Sequence, residues 1–389
     1  MTIDTTSRPE MREGLRRYVR ARLVPLEAEV AENDRVSDDI IAEMRDMGLF
    51  GLTIPSEYGG LGLSVSEEIE LVYELTWASL AFRSVVAMNI GIGSKAIVED
   101  GTEEQKRRWL PSIASGETIT SFCLTEPSSG SDSASLKLSA VPVDGGYRLN
   151  GTKRFISNAP LAGLFIVMAR TSPIALPRNA HVSAFLVPAG TPGVTVGPRD
   201  KKMGQSGAAT ADVYFEDAFV PAENIIGGQP GHGFATAMKA LDRGRIAVAA
   251  CCVGQARRIL HEALTYAESR EQFGRKISQF QLIQAMLADS QAELYATECM
   301  VGDTARRYDH GEPVAKEASC CKMFASEMVG RVADRAVQIF GGAGYVRDSG
   351  IERFYRDVRV MRIYEGTTQI QQLVIARAML REHGGLPAK

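Results

Sequence analysis

Glu365 is the carboxylate whose setting invites chemistry. It sits in Ile363-Tyr364-Glu365-Gly366-Thr367, between apolar residues and a glycine, just ahead of a stretch with helical spacing. A carboxylate in apolar surroundings holds its proton more tightly than in water and is a correspondingly stronger base. The adjoining helix start works the other way, because helix N-termini favour anions. The same position also suits an acid that merely lines a helix N-terminus, where acidic residues are enriched. The segment alone leaves both readings open.

Familiar catalytic signatures do not compete with it. No GxGxxG follows a strand, and the GGAG at Gly341 to Gly344 follows a helical pattern, so a Rossmann nucleotide site is not supported. No P-loop is present. His181, His232, His261, His310 and His383 lie far apart, with no HExxH and no carboxylates at metal spacing, and no metal ligands are expected. Gln205-Ser206-Gly207 lacks the full GxSxG elbow. The cysteines Cys123, Cys251, Cys252, Cys299, Cys320 and Cys321 form no CxxC, and two pairs are adjacent. That spacing suits neither disulfides nor metal, and buried free thiols in a reducing cytoplasm are expected. The chemistry has to be assembled from distant segments.

Those segments need a frame. A chain of 389 residues is long for one core, which favours two or three packed units. Its 45% hydrophobic and 23% charged residues are those of a soluble globular protein, and its net charge of −3 gives no case for nucleic acid. The N-terminus lacks the apolar core of a secretory signal. No run approaches the roughly 18 uninterrupted apolar residues of a membrane span, so no membrane partner is expected. From about Arg8 to Pro111 apolar residues recur at helical spacing. Between Thr118 and Ile226 the texture changes to short β-branched and aromatic runs punctuated by Gly and Pro, with a hairpin signal at Asp144-Gly145-Gly146. From His232 onward three long helical patterns and a shorter fourth follow. The expectation is a mainly α, α+β chain: an N-terminal helical domain (1–117), a middle antiparallel, β-barrel-like domain (118–230) and a C-terminal four-helix bundle (231–389).

Five stretches, in order, resemble the acyl-CoA dehydrogenase family: FCLTEPSSGSD at Phe122 to Asp132, LNGTKRFISN at Leu149 to Asn158, SREQFGRKISQFQ at Ser269 to Gln281, QIFGGAGY at Gln338 to Tyr345 and IYEGTTQIQ at Ile363 to Gln371. The resemblance runs from about residue 10 to 382 and agrees with the helical–β–helical layout. It implies FAD as cofactor and an acyl-CoA thioester as substrate. Glu365 would be the base that removes the α proton while a hydride leaves the β carbon, giving a trans-2-enoyl-CoA, as in β-oxidation. Some relatives carry the base on another helix; the matching position is Gly244, which cannot act.

The same resemblance assigns the remaining sites. Phe122, Leu124 and Thr125 would lie along the isoalloxazine, with Phe155 as a stacking aromatic and Ser157 as a hydroxyl contact; many relatives have Trp and Thr at the last two. A strand–turn–strand core is the alternative use of Phe155. Arg270, Phe273, Gln281, Gln338 and Gly342 match positions that reach the pyrophosphate and adenine end of FAD from a neighbouring subunit, and Thr367 and Gln369 match further FAD contacts. Arg suits a pyrophosphate because its planar fork pairs two oxygens. Ser131, Asp242, Arg245, Tyr364 and Gly366 would contact substrate; Asp242 and Arg245 are otherwise a surface ion pair. The family's usual assembly implies a homotetramer, a dimer of dimers, with electron-transferring flavoprotein as electron acceptor.

Arg83, in Ala81-Phe82-Arg83-Ser84, bears on the acyl group. It resembles the Arg with which glutaryl-CoA dehydrogenases grip a distal carboxylate, although Thr76 stands where a supporting acid is expected and Ala87 replaces a Ser. An Arg in an apolar pocket is costly unless an anion meets it. It would therefore favour a glutaryl, succinyl or sulfinopropanoyl type of chain, unless it turns to the helix surface and pairs with an acid. A same-fold flavin monooxygenase or desulfinase and a non-catalytic acyl-CoA-binding protein are the other readings.

Overall fold

The computed structural model describes residues 8–172 and 181–385. Seven helices open the chain: α1 (Arg8–Tyr18), α2 (Glu27–Asn33), α3 (Asp38–Asp46), α4 (Val65–Leu75), α5 (Leu80–Ile90), α6 (Ile92–Asp100) and α7 (Glu103–Ser115). Their starts are set locally. Ser64 and Glu67 form a reciprocal capping box at α4, and Thr102 and Gln105 do the same at α7. The stretch Leu80–Asp100 is apolar and long enough by composition to cross a membrane. However, Gly91 divides it into α5 and α6, and 67% of its most apolar window is buried within the protein.

Seven strands follow: β1 (Thr120–Cys123), β2 (Ser139–Val143), β3 (Gly146–Ser157), β4 (Leu164–Arg170), β5 (Val182–Pro188), β6 (Val194–Arg199) and β7 (Thr210–Pro221). They form one sheet in the order β1-β4-β2-β3-β7-β6, with β5 on the other side of β4. The Asp144-Gly145-Gly146 turn joins β2 to β3, with Gly145 at φ +74°. Most pairings are antiparallel as expected. The exception centres on β4, which runs parallel to β1 throughout and to β2 at one residue pair. That arrangement brings the end of β1, and the residues after it, beside the middle of β3.

β3 carries an irregularity between Lys153 and Ile156, and Phe155 there has φ +58°. Arg154 donates its backbone N–H to the Thr125 carbonyl at 2.8 Å across this bulge. Beneath it Lys153 and Glu126 form a fully buried ion pair at 2.8 Å. Lys153 also donates to the Leu124 carbonyl, and Glu126 accepts the N–H groups of Lys137 and Leu138. A bulge re-aims side chains while keeping the flanking ladder.

The C-terminal part comprises α8 (Gly233–Ser269), a small hairpin of β8 (Glu271–Gln272) and β9 (Arg275–Lys276), and then α9 (Gln281–Asp309), α10 (Ala315–Phe340), α11 (Ile351–Val358) and α12 (Thr368–Glu382). α8 begins one residue after His232, where the helical pattern resumes, and runs along both the first helices and the sheet. Gly254 makes its crossing with α4 possible, since a Cβ there would sit 2.0 Å from Thr76 Oγ1. The cysteines are free, as expected, but two are not buried: Cys299 is exposed and Cys320 half-buried. On α9 the buried positions are Ser290, Leu294, Thr297, Val301, Thr304 and Ala305, which leaves Cys299 on the opposite face.

Candidate active site

Where the three parts meet they enclose a cavity of about 960 Å³. α5 supplies one wall, β1, the loop at Gly130 to Ser133 and the β3 bulge a second, the β6–β7 loop a third, and α8, the segment ahead of α12 and α12 itself most of the remainder. Glu365 lies on this last segment at φ +53°, followed by Gly366 at φ +87°. A non-glycine residue in the left-handed region is uncommon and points to a position held by its surroundings. Its Oε2 is buried without a hydrogen-bond partner among the described residues. Burial holds the Glu365 carboxyl above the ordinary range, against Arg245, Arg83 and Lys322, which pull it down. A carboxylate so placed is a stronger base than one in water.

Gly244 of α8 faces that carboxylate. A Cβ on Gly244 would stand 2.9 Å from Glu365 Oε2 and 3.2 Å from its Cδ. The two positions at which a base is expected therefore converge on one spot, with space for a single side chain.

The residues expected beside a flavin ring share one wall of the cavity. Phe122, Leu124 and Thr125 line the cavity beside Phe155 and Ser157. The bulge turns Phe155 out of the sheet, leaving the ring 58% exposed, with the Arg154 guanidinium 4.7 Å from its centroid. A flat ring beside an apolar strand and two hydroxyls suits a planar, hydrogen-bonding heterocycle. Of the residues expected to contact substrate, Ser131, Arg245, Tyr364 and Gly366 also line the cavity. Arg245 is held by Asp242 at 2.6 Å, so Asp242 reaches the cavity only through its partner.

Arg83 lines the cavity rather than the outer helix surface. Its Nε is buried and unbonded, and among the described residues no carboxylate lies within ion-pair distance. The nearby acid Glu68 is taken by Arg243 at 2.6 Å. Thr76 is fully buried and donates to the Val72 carbonyl.

Other predicted positions stay outside the cavity. Arg270, Phe273, Gln281, Gln338 and Gly342 are all exposed, Phe273 by 94%. Gln369 is exposed, and the Thr367 hydroxyl accepts the Ile370 N–H as the N-cap of α12. Some lining residues carry no signature in the sequence. Cys251 sits beside Arg83, and Gln205 enters on the β6–β7 loop at φ +52°. That loop is clasped from both sides: Asp357 of α11 accepts the Gln205 N–H, and Asp34 accepts the Gly207 N–H at 2.6 Å.

The helical–sheet–helical layout and the cavity at its centre find their match in the comparisons. Family models describing the N-terminal, middle and C-terminal domains of acyl-CoA dehydrogenase match residues 5–117, 121–218 and 231–380. The chain belongs to the acyl-CoA dehydrogenase family, is an oxidoreductase, and uses FAD. It is 39% identical over 371 residues to an acyl-CoA dehydrogenase of Bacillus subtilis (strain 168), covering 95% of this chain and 97% of that one. It is 43% identical over 356 residues to the mitochondrial very long-chain specific acyl-CoA dehydrogenase of Macaca fascicularis. That match covers 89% of this chain but 54% of the relative, so the chain spans about half the length of that enzyme. Among solved structures, butyryl-CoA dehydrogenase from Megasphaera elsdenii superposes with a TM-score of 0.93 at 34% identity, covering 96% of this chain and 98% of that one.

Proposed function

We propose that this protein converts a saturated acyl-CoA to its trans-2-enoyl-CoA, with Glu365 as the base that removes the α proton. The observation that carries this reading is the Glu365 carboxylate itself: buried, unbonded at Oε2, and facing the cavity opposite a glycine. A substrate α carbon brought to that oxygen needs no displaced partner before the proton moves. Bound FAD supplies the acceptor for the hydride from the β carbon. Phe122, Leu124, Thr125, Phe155 and Ser157 would hold its ring on the opposite wall. Arg245, fixed by Asp242, presents a cation to the CoA arm, and Ser131 a hydroxyl. The cavity's apolar flank on α5 and α8 excludes water from the reacting carbons, which strengthens every charge inside.

Arg270, Phe273, Gln281, Gln338 and Gly342 lie exposed on the protomer, which suits a role toward FAD in a neighbouring subunit and hence a homotetramer. Thr367 and Gln369 would add contacts from the start of α12. Electron-transferring flavoprotein is the fitting electron acceptor. The free cysteines suit a reducing cytoplasm. The second reading, an acyl chain ending in a carboxylate or sulfinate, is favoured by Arg83 alone, a guanidinium that lines the cavity with its Nε unbonded and forms no ion pair among the described residues.

Anaerobic titration with short, medium, branched, aromatic and dicarboxylic acyl-CoAs tests the class. Wild-type flavin is bleached by at least one of them. Glu365→Gln, with its FAD retained, is bleached at least about 10³-fold more slowly. Unimpaired bleaching of that variant would refute the assignment.

A further inference from the structure

Lys322 sits on α10 with its side chain fully buried, one of two lysines with that burial among the described residues. Among the described residues it lines no part of the cavity and forms no ion pair with a carboxylate. Its Nζ instead donates to the carbonyl of Gly366 at 2.6 Å. Gln371, also fully buried, donates through Nε2 to the carbonyls of both Glu365 (2.9 Å) and Gly366 (3.2 Å). The two carbonyls that follow the left-handed turn are thus captured by side chains from two different helices. Space is fitted to the clasp as well: a Cβ on Gly366 would stand 2.5 Å from Gln371 Nε2.

We propose that Lys322 is a positioning residue for the reaction: through the Gly366 carbonyl it fixes the left-handed turn that aims Glu365 into the cavity, and its buried ammonium biases the charge on that carboxylate. This rests on Glu365 being the base. A buried ammonium is retained at a cost in desolvation unless it is bonded and near negative charge. The groups facing it are Cys252 and Arg245 from α8, Glu327 from α10 and Glu365 from the turn. Burial, helped by Arg245, brings the ammonium down to about 8 against Cys252, Glu365 and Glu327, which pull it up. The same proximity pulls the Glu365 carboxyl downward from its burial-raised position. Lys322 therefore acts on the base twice, through geometry and through charge.

The two actions separate by substitution in the FAD-loaded enzyme. Lys322→Gln keeps a donor and removes the charge; Lys322→Met removes both. In both variants the acid limb of the pH dependence of kcat/KM moves up by about one unit. The value of kcat at its pH optimum falls about 10²-fold in Lys322→Met and about tenfold less than that in Lys322→Gln, because a small misplacement of a catalytic group is expensive in rate. A lysine that only supported the fold would lower stability without moving the acid limb. A wild-type acid limb and kcat in both variants overturns the proposal. If neither variant accumulates as folded flavoprotein, Gln371→Met tests the clasp instead: a fall in kcat with an unmoved acid limb supports it, and an unchanged kcat overturns it. Glu365→Gln is measured alongside. If that variant stays active, the base assignment fails; if it is inactive while the Lys322 variants are normal, only the role of Lys322 fails.

Discussion

Gly244 and Glu365 occupy complementary space: the position a Cβ would take on Gly244 is 2.9 Å from Glu365 Oε2. A methyl group there pushes the carboxylate out of line without touching the flavin-type wall. Gly244→Ala is therefore expected to keep its FAD and lose about 10²-fold in kcat, since displacements near 1 Å have that effect. The reciprocal exchange Gly244→Glu with Glu365→Gly restores a carboxylate to the same region from α8. It should recover part of the activity that Glu365→Gly alone loses. Stopped-flow flavin reduction reads both, and a Gly244→Ala enzyme at wild-type rate would show that the carboxylate has room to spare.

Lys153 and Glu126 support the segment that carries Leu124 and Thr125. The pair is buried at 2.8 Å, and Lys153 also holds the Leu124 carbonyl. Removing one partner of a buried pair leaves the other charge uncompensated, at about 3–5 kcal/mol. Lys153→Met should lower unfolding free energy by about that amount and reduce the flavin-to-protein ratio. The double variant Lys153→Met/Glu126→Gln should recover most of the stability. Denaturant unfolding followed by fluorescence, with flavin absorbance in parallel, distinguishes this from a pair that contributes nothing.

Helices α8 to α10, α12 and most strands are legible in the sequence because periodicity and glycine or proline punctuation are local signals. The positions of Phe155 and Glu365 within the site are legible only through the resemblance. What aims them is long-range: Phe155 turns outward because Arg154 bonds to Thr125, and Glu365 is held by residues on α10 and α12. Lys322 stands in an apolar stripe with Ala318, Ala325 and Val329, which marks its face of α10 as buried, but the carbonyl it bonds lies 44 residues away in sequence and leaves no local signal. The parallel run of β4 beside β1 is invisible for the same reason, and so is the choice of Arg83 between solvent and cavity.

Asp357 gives the fold a pH signature. Burial raises its carboxyl to about 6, against the Gln205 N–H and the guanidinium groups of Arg353 and Arg356. The folded chain holds a proton there that the unfolded chain, with an ordinary aspartate near ~3.9, releases. Its contribution to stability is thus present below that ordinary value and lost as pH rises through about 6. Asp357→Asn removes the titration. It should be more stable than wild type by about 3 kcal/mol at pH 8 and should lose that advantage by pH 4. Unfolding curves at four pH values check this; parallel profiles for the two proteins would exclude it.

Arg83 is the residue through which the use of the acyl end of the cavity can be tested. Its charge is held above the ordinary range by Cys251, Tyr364, Glu68 and Glu365 although burial opposes it, so it remains a cation facing the cavity. With an acid-terminated acyl chain that cation gains a partner and the cost of burying it is offset. With a plain alkyl chain it stays unpaired beside apolar carbon. Arg83→Met should therefore lower kcat/KM for glutaryl-CoA by about 10²-fold or more while leaving that for butyryl-CoA unchanged or improved. Arg83→Lys keeps the charge but loses the planar fork, and should fall between the two. The comparison is internal, because both substrates present the same thioester to Glu365 and the same CoA to Arg245. Equal losses on the two substrates would mean that Arg83 serves the fold or the base rather than the chain end, and that the acyl group is apolar throughout.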